Sequence, residues 1–533
     1  MRVFKNAQFI SCEEENRIFQ YLVEDGGRIV FTGNRLSEQY FSCDSLDLQG
    51  RCVIPAFVDT HLHFASFAFF YSGLDCRHVS DFDELAYVVR RYLACNSEKK
   101  IFLAFGCSAH TVKERRLPTR ADLDKITTRP LMIIKYDGHA AVGNTSLIKK
   151  MSKDILSDPG FHAETGWFHL NAFYRAVNAI TKSVSLSELF LQLAAGCDGL
   201  AYQGIALAHT AEGVGFPLDL DVDFMRLANR GFPLDFRVFF QSMDIRKITR
   251  RKLPRIGGCF ATALDGCFGS EDAALLQPYS NNSGNFGQLF YTQKQVNEFA
   301  ISANREGLQI ALHAIGDGAI SQALSAFEAA LADFPRTDHR HILIHADLMD
   351  ESTIERAAKL GVCIALQTPF LHWPQEPLSY LKSILGSRID NLIPLKSMRQ
   401  AGITLASGSD APCTPPDPIS GIFAACNHPN SEQSVNALEA IRMHTAAGAL
   451  LSFEEASRGT LTEGKQADFV VLNANPLDLP PNRLNTLKVE TLYLKGEKYR
   501  HQSDKSFGRL LMDALANRGG SLKRHHRKSD YAN

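Results

Sequence analysis

The sequence contains no Cys-x-x-Cys pair, no Gly-x-Gly-x-x-Gly or Gly-x-x-x-x-Gly-Lys-Ser/Thr loop, and no long apolar run. The scattered cysteines exclude a zinc ribbon and a disulfide framework, and fit reduced thiols in a cytoplasmic protein. Without a glycine-rich phosphate loop, nucleotide binding is disfavoured. The most apolar stretch, Phe64 to Leu74, is far shorter than the roughly 20 residues a membrane helix needs. The N-terminus meets Glu13, Glu14 and Glu15 before any signal-peptide core can form, so export is not expected. An excess of one charge sign is missing too. With 57 basic and 58 acidic side chains the net charge is -1, and neither nucleic acid nor a membrane is an expected partner. Basic residues concentrate only at the end, in Lys523, Arg524, Arg527 and Lys528, which reads as a solvated tail over 501–533.

What remains is an ordinary globular composition in 533 residues, enough for several domains or one large barrel with a companion. Tyr21 to Val23, Asp25-Gly26-Gly27 and Arg28 to Thr32 read as a β-hairpin. Ala467 to Leu472 and Val489 to Leu494 read as strands near the other end. Residues 1–50 and 455–500 are therefore expected to form one small β-domain. Between them, over 51–454, β-rich runs alternate with amphipathic segments, which predicts βα units around a parallel sheet. Examples are Leu131 to Ile134, Phe236 to Phe240, Gln309 to Leu312, Ile342 to Ile344 and Ile403 to Ala406. The length suits a (β/α)8 barrel, with a doubly wound open sheet as the alternative. Ser185-x-x-Glu188 and Thr292 mark helix starts.

His61-Leu62-His63 ends one apolar run, and a period of two puts both imidazoles on the same face of a strand. That spacing is weak evidence by itself, because His339-Arg340-His341 repeats it. More informative is that His313, His345 and Asp410 also follow apolar runs directly or closely. In a barrel such residues converge at the C-terminal mouth, and imidazole and carboxylate donors suit Zn2+ or a similar ion.

The motifs GRCVIPAFVDTHLHF (Gly50 to Phe64), LPTRADLD (Leu117 to Asp124), DGHAAVGN (Asp137 to Asn144), LHAIGDGAI (Leu312 to Ile320), RHILIHADL (Arg340 to Leu348), GSDAPCTPPDP (Gly408 to Pro418) and GTLTEGKQADFVVL (Gly459 to Leu472) follow in order. Together they resemble the amidohydrolase superfamily, and within it the family 3 branch that includes N-substituted formamide deformylases. The resemblance implies an α/β fold, a TIM-type barrel with a small β-sandwich built from both chain ends. It implies His61, His63, His313, His345 and Asp410 as metal ligands, Asp410 as general base and His345 as a catalytic partner. His139 is similar to a position lining the substrate pocket, with Asn144 nearby; a packing or supporting role is the alternative. The activity implied is hydrolysis of a carbon-nitrogen bond other than a peptide bond, in a linear N-acyl or N-formyl amide. Asp317 reads as a helix start rather than as a partner that orients His313. A small molecule is the expected partner, and homo-oligomer formation stays open.

One element of the pattern is missing. Many relatives carry a carboxylated lysine on strand four that bridges two metals, four positions before an Asp-Gly pair. Here the pair is Asp265-Gly266, which puts Ala261 at that position, and no lysine occurs from Leu253 to Gln293. Without a shared anion, two dications repel, so a single Zn2+ is expected. Lys135 and Cys259 are candidate substitutes, each with an ordinary strand-end or buried role open to it. The lost lysine also motivates a rival reading, a catalytically idle barrel with a binding or regulatory role.

Overall fold

The computed structural model describes residues 1–516 apart from 72, 183 and 215. The basic segment around Lys523 to Lys528 lies outside the described residues. Eight parallel strands follow one another in chain order around a single sheet: β1 (Phe57–Leu62), β2 (Ile205–Glu212), β3 (Asp235–Phe240), β4 (Arg255–Ala263), β5 (Gln309–Ala314), β6 (Ile342–His345), β7 (Cys363–Leu366) and β8 (Leu405–Ser407). At the seam between β8 and β1 the Asp410 amide donates to the His61 carbonyl at 2.8 Å. This is a nearly closed α/β barrel. Its strands read as continuous apolar runs because both faces are covered. Ala311, Ile342, Ile344, Cys363 and Ala406 fill the interior, while Ile310, Leu312 and Leu343 pack outward in the core shared with the helices.

A second sheet interrupts the barrel between β1 and β2. Its six strands run, in spatial order, Phe161–His162, Trp167–His169, Ala140–Gly143, Leu131–Lys135, Phe102–Cys107 and Leu74–Asp75. Leu131 to Ile134, expected among the barrel units, belongs here instead. A short apolar run looks the same in sequence whichever sheet buries it.

The chain ends meet in a third, mixed sheet. Arg2–Ile10 lies parallel to Asp44–Pro55, which pairs antiparallel with Phe469–Leu472, and Val489–Leu494 follows. Phe4, Phe9, Leu22, Phe469 and Tyr493 form a core on it. The expected hairpin turns at Gly26-Gly27, whose positive φ values of 56° and 83° suit a tight hairpin turn that other residues adopt poorly. Only Ala56 separates Asp44–Pro55 from β1, so this sheet anchors the strand that carries His61. Ser185 and Thr292 cap the helices Leu186–Tyr202 and Gln293–Arg305 as their sequences indicated. No described helix is long and apolar enough to cross a membrane.

Candidate metal centre and active site

The seam between β1 and β8 is locked by a buried carboxylate. Asp59 accepts hydrogen bonds from the amides of His61 (3.2 Å), on β1, and Ser409 (3.1 Å), just past the end of β8. Burial pushes its carboxyl up to about 7, against those hydrogen bonds. The His63 amide donates to the Ala411 carbonyl at 2.8 Å. Gly408 is required here because any Cβ would collide with the His61 amide. This register brings Asp410 Oδ1 to 3.2 Å from His61 Nε2 and 3.3 Å from His63 Nε2. Asp410 and His345 have φ of 57° and 70°. A non-glycine residue held there stores on the order of 1 to 3 kcal/mol of strain, a cost met mostly at functional sites.

Cys259 of β4 occupies the centre of the cluster. Its Sγ lies 3.1 Å from His61 Nε2, 3.3 Å from His313 Nδ1 and 3.6 Å from His345 Nε2. The buried donors therefore fall into two groups with one shared member: His61, His63, Cys259 and Asp410, and Cys259, His313 and His345. Two backbone carbonyls set imidazole tautomers. His63 Nδ1 donates to Ala211 O and His313 Nε2 to Gly266 O, each at 3.2 Å, which leaves the other nitrogen's lone pair facing the cluster.

The electrostatics fit a cation. Burial pushes His313 down to about 3, and His345 well below the usual imidazole value, so both present neutral rings. Burial also raises the Asp410 carboxyl, but the neighbouring His61 and His63 more than offset it and hold it well below the usual range. Asp410 Oδ1 and His345 Nδ1 are buried without a hydrogen-bond partner. Donor separations of 3.1 to 3.6 Å match the roughly 3.3 to 3.8 Å between ligands of a tetrahedral zinc ion with ordinary bond lengths. Beside the cluster lies a cleft, about 500 Å³ of empty space including its solvent-open mouth, lined by His63, His139, His313, Asp347, Phe370 and Asp410, among others.

Residues 44–498 match the model of the amidohydrolase family. The chain belongs to that family. It is 27% identical to YtcJ of Bacillus subtilis (strain 168), over 92% of this chain and 97% of that protein. It is 24% identical to N-substituted formamide deformylase of Arthrobacter pascens, over 92% and 96%. Among solved structures, an uncharacterized metal-dependent hydrolase from Pyrococcus furiosus shares the fold with a TM-score of 0.73 and 24% identity, covering 90% of this chain and all of that one.

Several amidohydrolase-derived expectations move once the side chains are in place. Asn144 is not at the cavity. Its Oδ1 accepts from the Leu131 and Leu147 amides, and its Nδ2 donates to the Thr127 and Arg129 carbonyls. All of its hydrogen-bonding capacity is used in capping the helix Thr145–Ile148 and tying it to a strand. Asn144→Ala is expected to destabilise the protein by about 2 to 3 kcal/mol while leaving KM unchanged within twofold. Thermal melts and steady-state kinetics would check this, and a raised KM at unchanged Tm would return Asn144 to the pocket. His139 does line the cavity, with its ring 5.1 Å from that of Phe260, but it joins neither donor group.

Ala261 is not the position that faces the cluster. Pairing of β4 with β5 jumps from Gly258 to Ala263, so the strand bulges, and counting back from Asp265 misses the inward residue. The Ala261 carbonyl instead accepts from Tyr291 Oη at 2.8 Å. Lys135 is committed to Asp137 at 2.6 Å and Ser270 at 2.8 Å. Of the two candidate substitutes, Cys259 is the one at the cluster, and it is the one side chain of β4 with metal-ligand chemistry. Asp317 begins the helix Asp317–Asp333, and its carboxylate accepts from the Leu276 amide. Asp265 lies 3.6 Å from His313 instead, and accepts from the Ile315, Gly316 and Ala274 amides.

Proposed function

We propose that this amidohydrolase cleaves a carbon-nitrogen bond other than a peptide bond, in a linear N-acyl or N-formyl amide, with Asp410 as general base. The observation that carries this reading is the Asp410 carboxylate, wedged between His61 and His63 and bordering a cavity large enough for a small substrate. His61, His63, Cys259 and Asp410 would hold one divalent ion, and Cys259, His313 and His345 a second. Mixed sulfur and imidazole donors favour Zn2+. A shared Cys259 thiolate would supply the bridging anion whose absence motivated the single-ion expectation, and so supports a two-ion site. Bound ions would polarise the amide carbonyl and acidify water. Asp410 takes the proton of the attacking water and hands it to the leaving nitrogen. Phe370 and Trp373, stacked 4.6 Å apart, wall the cavity and limit bulk water.

The barrel, within residues 51–454, serves as the catalytic unit, and residues 1–50 with 455–500 supply most of the mixed sheet that supports it. All twelve cysteines are free thiols, which supports a reducing compartment such as the cytoplasm. The idle-barrel alternative gains nothing from a site whose donors converge so closely.

Removing metal with a chelator should abolish turnover across a panel of N-acyl and N-formyl amines, and Zn2+ should restore it. A fully active metal-free enzyme, or metal-replete protein inert on the whole panel, would overturn the assignment.

A further inference from the structure

A second chamber, about 630 Å³ of empty space including its solvent-open mouth, adjoins the metal cavity. The two share His63, Phe260 and Cys413 in their walls, so they meet beside the reacting position. Phe69, Phe70, Phe105, Phe173, Tyr174 and Phe216 surround the second chamber. They come from the helix after His63 (Phe64–Tyr71), the inserted sheet, the helix Leu170–Thr181 and the loop after β2. Ring contacts run from Phe216 through Phe69 and Phe70 to Phe105. A second set joins Tyr174 through Phe260 to His63. Its lining includes no Lys, Arg, Asp or Glu. Water in such a space finds few partners, whereas an aryl or branched alkyl group meets aromatic faces on several sides.

The charge of the first chamber adds a second constraint. Asp137, Asp347, Glu376 and Asp410 line it, together with histidines and no Lys or Arg. Lys135 lies against Asp137. Asp347 is 4% exposed, and its Oδ1 has no partner. A substrate carboxylate seated away from the ions would meet a lining without Lys or Arg, and Lys135 is already committed to Asp137 and Ser270, so nothing there would offset its desolvation.

We propose that the substrate carries a bulky apolar arm of aryl size on its scissile amide, seated in the second chamber, and bears no carboxylate. This rests on the amide-hydrolase reading and narrows it to a substrate class. The inserted sheet then has a function, since it supplies a wall that the barrel alone lacks.

Binding of uncleavable methanesulfonamides to the metal-loaded enzyme, measured by calorimetry, tests the proposal. The N-(2-phenylethyl) compound should bind at least about 30-fold more tightly than the N-methyl compound, given the apolar area it buries. N-methanesulfonyl-phenylalanine, which differs from the phenylethyl compound by one carboxylate, should bind at least about 10-fold more weakly than it. Val177 also lines the chamber, and Val177→Trp, which fills it, should erase the phenylethyl advantage and leave the methyl compound unaffected. Phe173→Ala, which removes one wall, should weaken the phenylethyl compound alone. Affinities within threefold across the wild-type series, or a carboxylate that binds as well as its parent, would overturn the proposal. So would a phenylethyl affinity that neither variant changes. No reading depends on turnover, so an enzyme inactive on amides would count against the hydrolase assignment and leave the chamber result standing.

Discussion

Asp410→Asn enzyme is expected to lose between about 100-fold and 10,000-fold in kcat while its metal content stays near that of the wild type. The substitution keeps the side chain's shape and one oxygen, which sits among His61 Nε2, His63 Nε2 and the Asp410 backbone contacts to β1. What it removes is basicity, because an amide cannot take a proton from water at neutral pH. A 1,000-fold loss corresponds to about 4 kcal/mol of transition-state stabilisation. Metal analysis alongside the kinetics separates two roles for this carboxylate. If Asp410 serves chiefly as a ligand, metal is lost together with activity. Undiminished turnover would remove it from the chemistry altogether.

Cys259→Ala should lower bound zinc from two equivalents to one or fewer, with activity reduced by at least about 100-fold. Two dications about 4 Å apart repel by roughly 16 kcal/mol at an effective dielectric of 20, so a shared anion decides whether both remain. Burial holds the Cys259 thiol well above its usual range, and a thiolate forms there only if cations offset that cost. In cobalt-substituted wild type, a sulfur-to-metal charge-transfer band is expected, and it should vanish in the alanine variant. The metal-free forms of the two proteins should melt at similar temperatures, because losing one buried Sγ costs little packing. Two tightly held ions in Cys259→Ala would refute the shared-thiolate arrangement and revive the question of what offsets their repulsion.

These outcomes bear on how much of the site could be read before folding. His61, His63, His313, His345 and Asp410 stand out because each follows an apolar run directly or closely, and parallel barrel strands deliver such residues to one mouth. Cys259 is legible in sequence only as a buried thiol with an ordinary role open to it. A bulge between Gly258 and Ala263 breaks the count on which the comparison with a strand-four lysine relied. Asn144 failed for the opposite reason. It sits in a family motif, yet four hydrogen bonds to Leu131, Leu147, Thr127 and Arg129 consume it.

Local pattern was sufficient for the alternation of strands and helices, the hairpin at Gly26-Gly27, and the caps at Ser185 and Thr292. Each depends on periodicity or turn chemistry within a few residues. The tertiary structure alone decided that Leu131–Lys135 joins an inserted sheet and that Asp59 ties β1 to β8. It alone set the aromatic chamber beside the metal cavity. Those features come from contacts between residues tens to hundreds of positions apart. Burial makes each of them energetically strong, and no local pattern encodes which distant partner will be met.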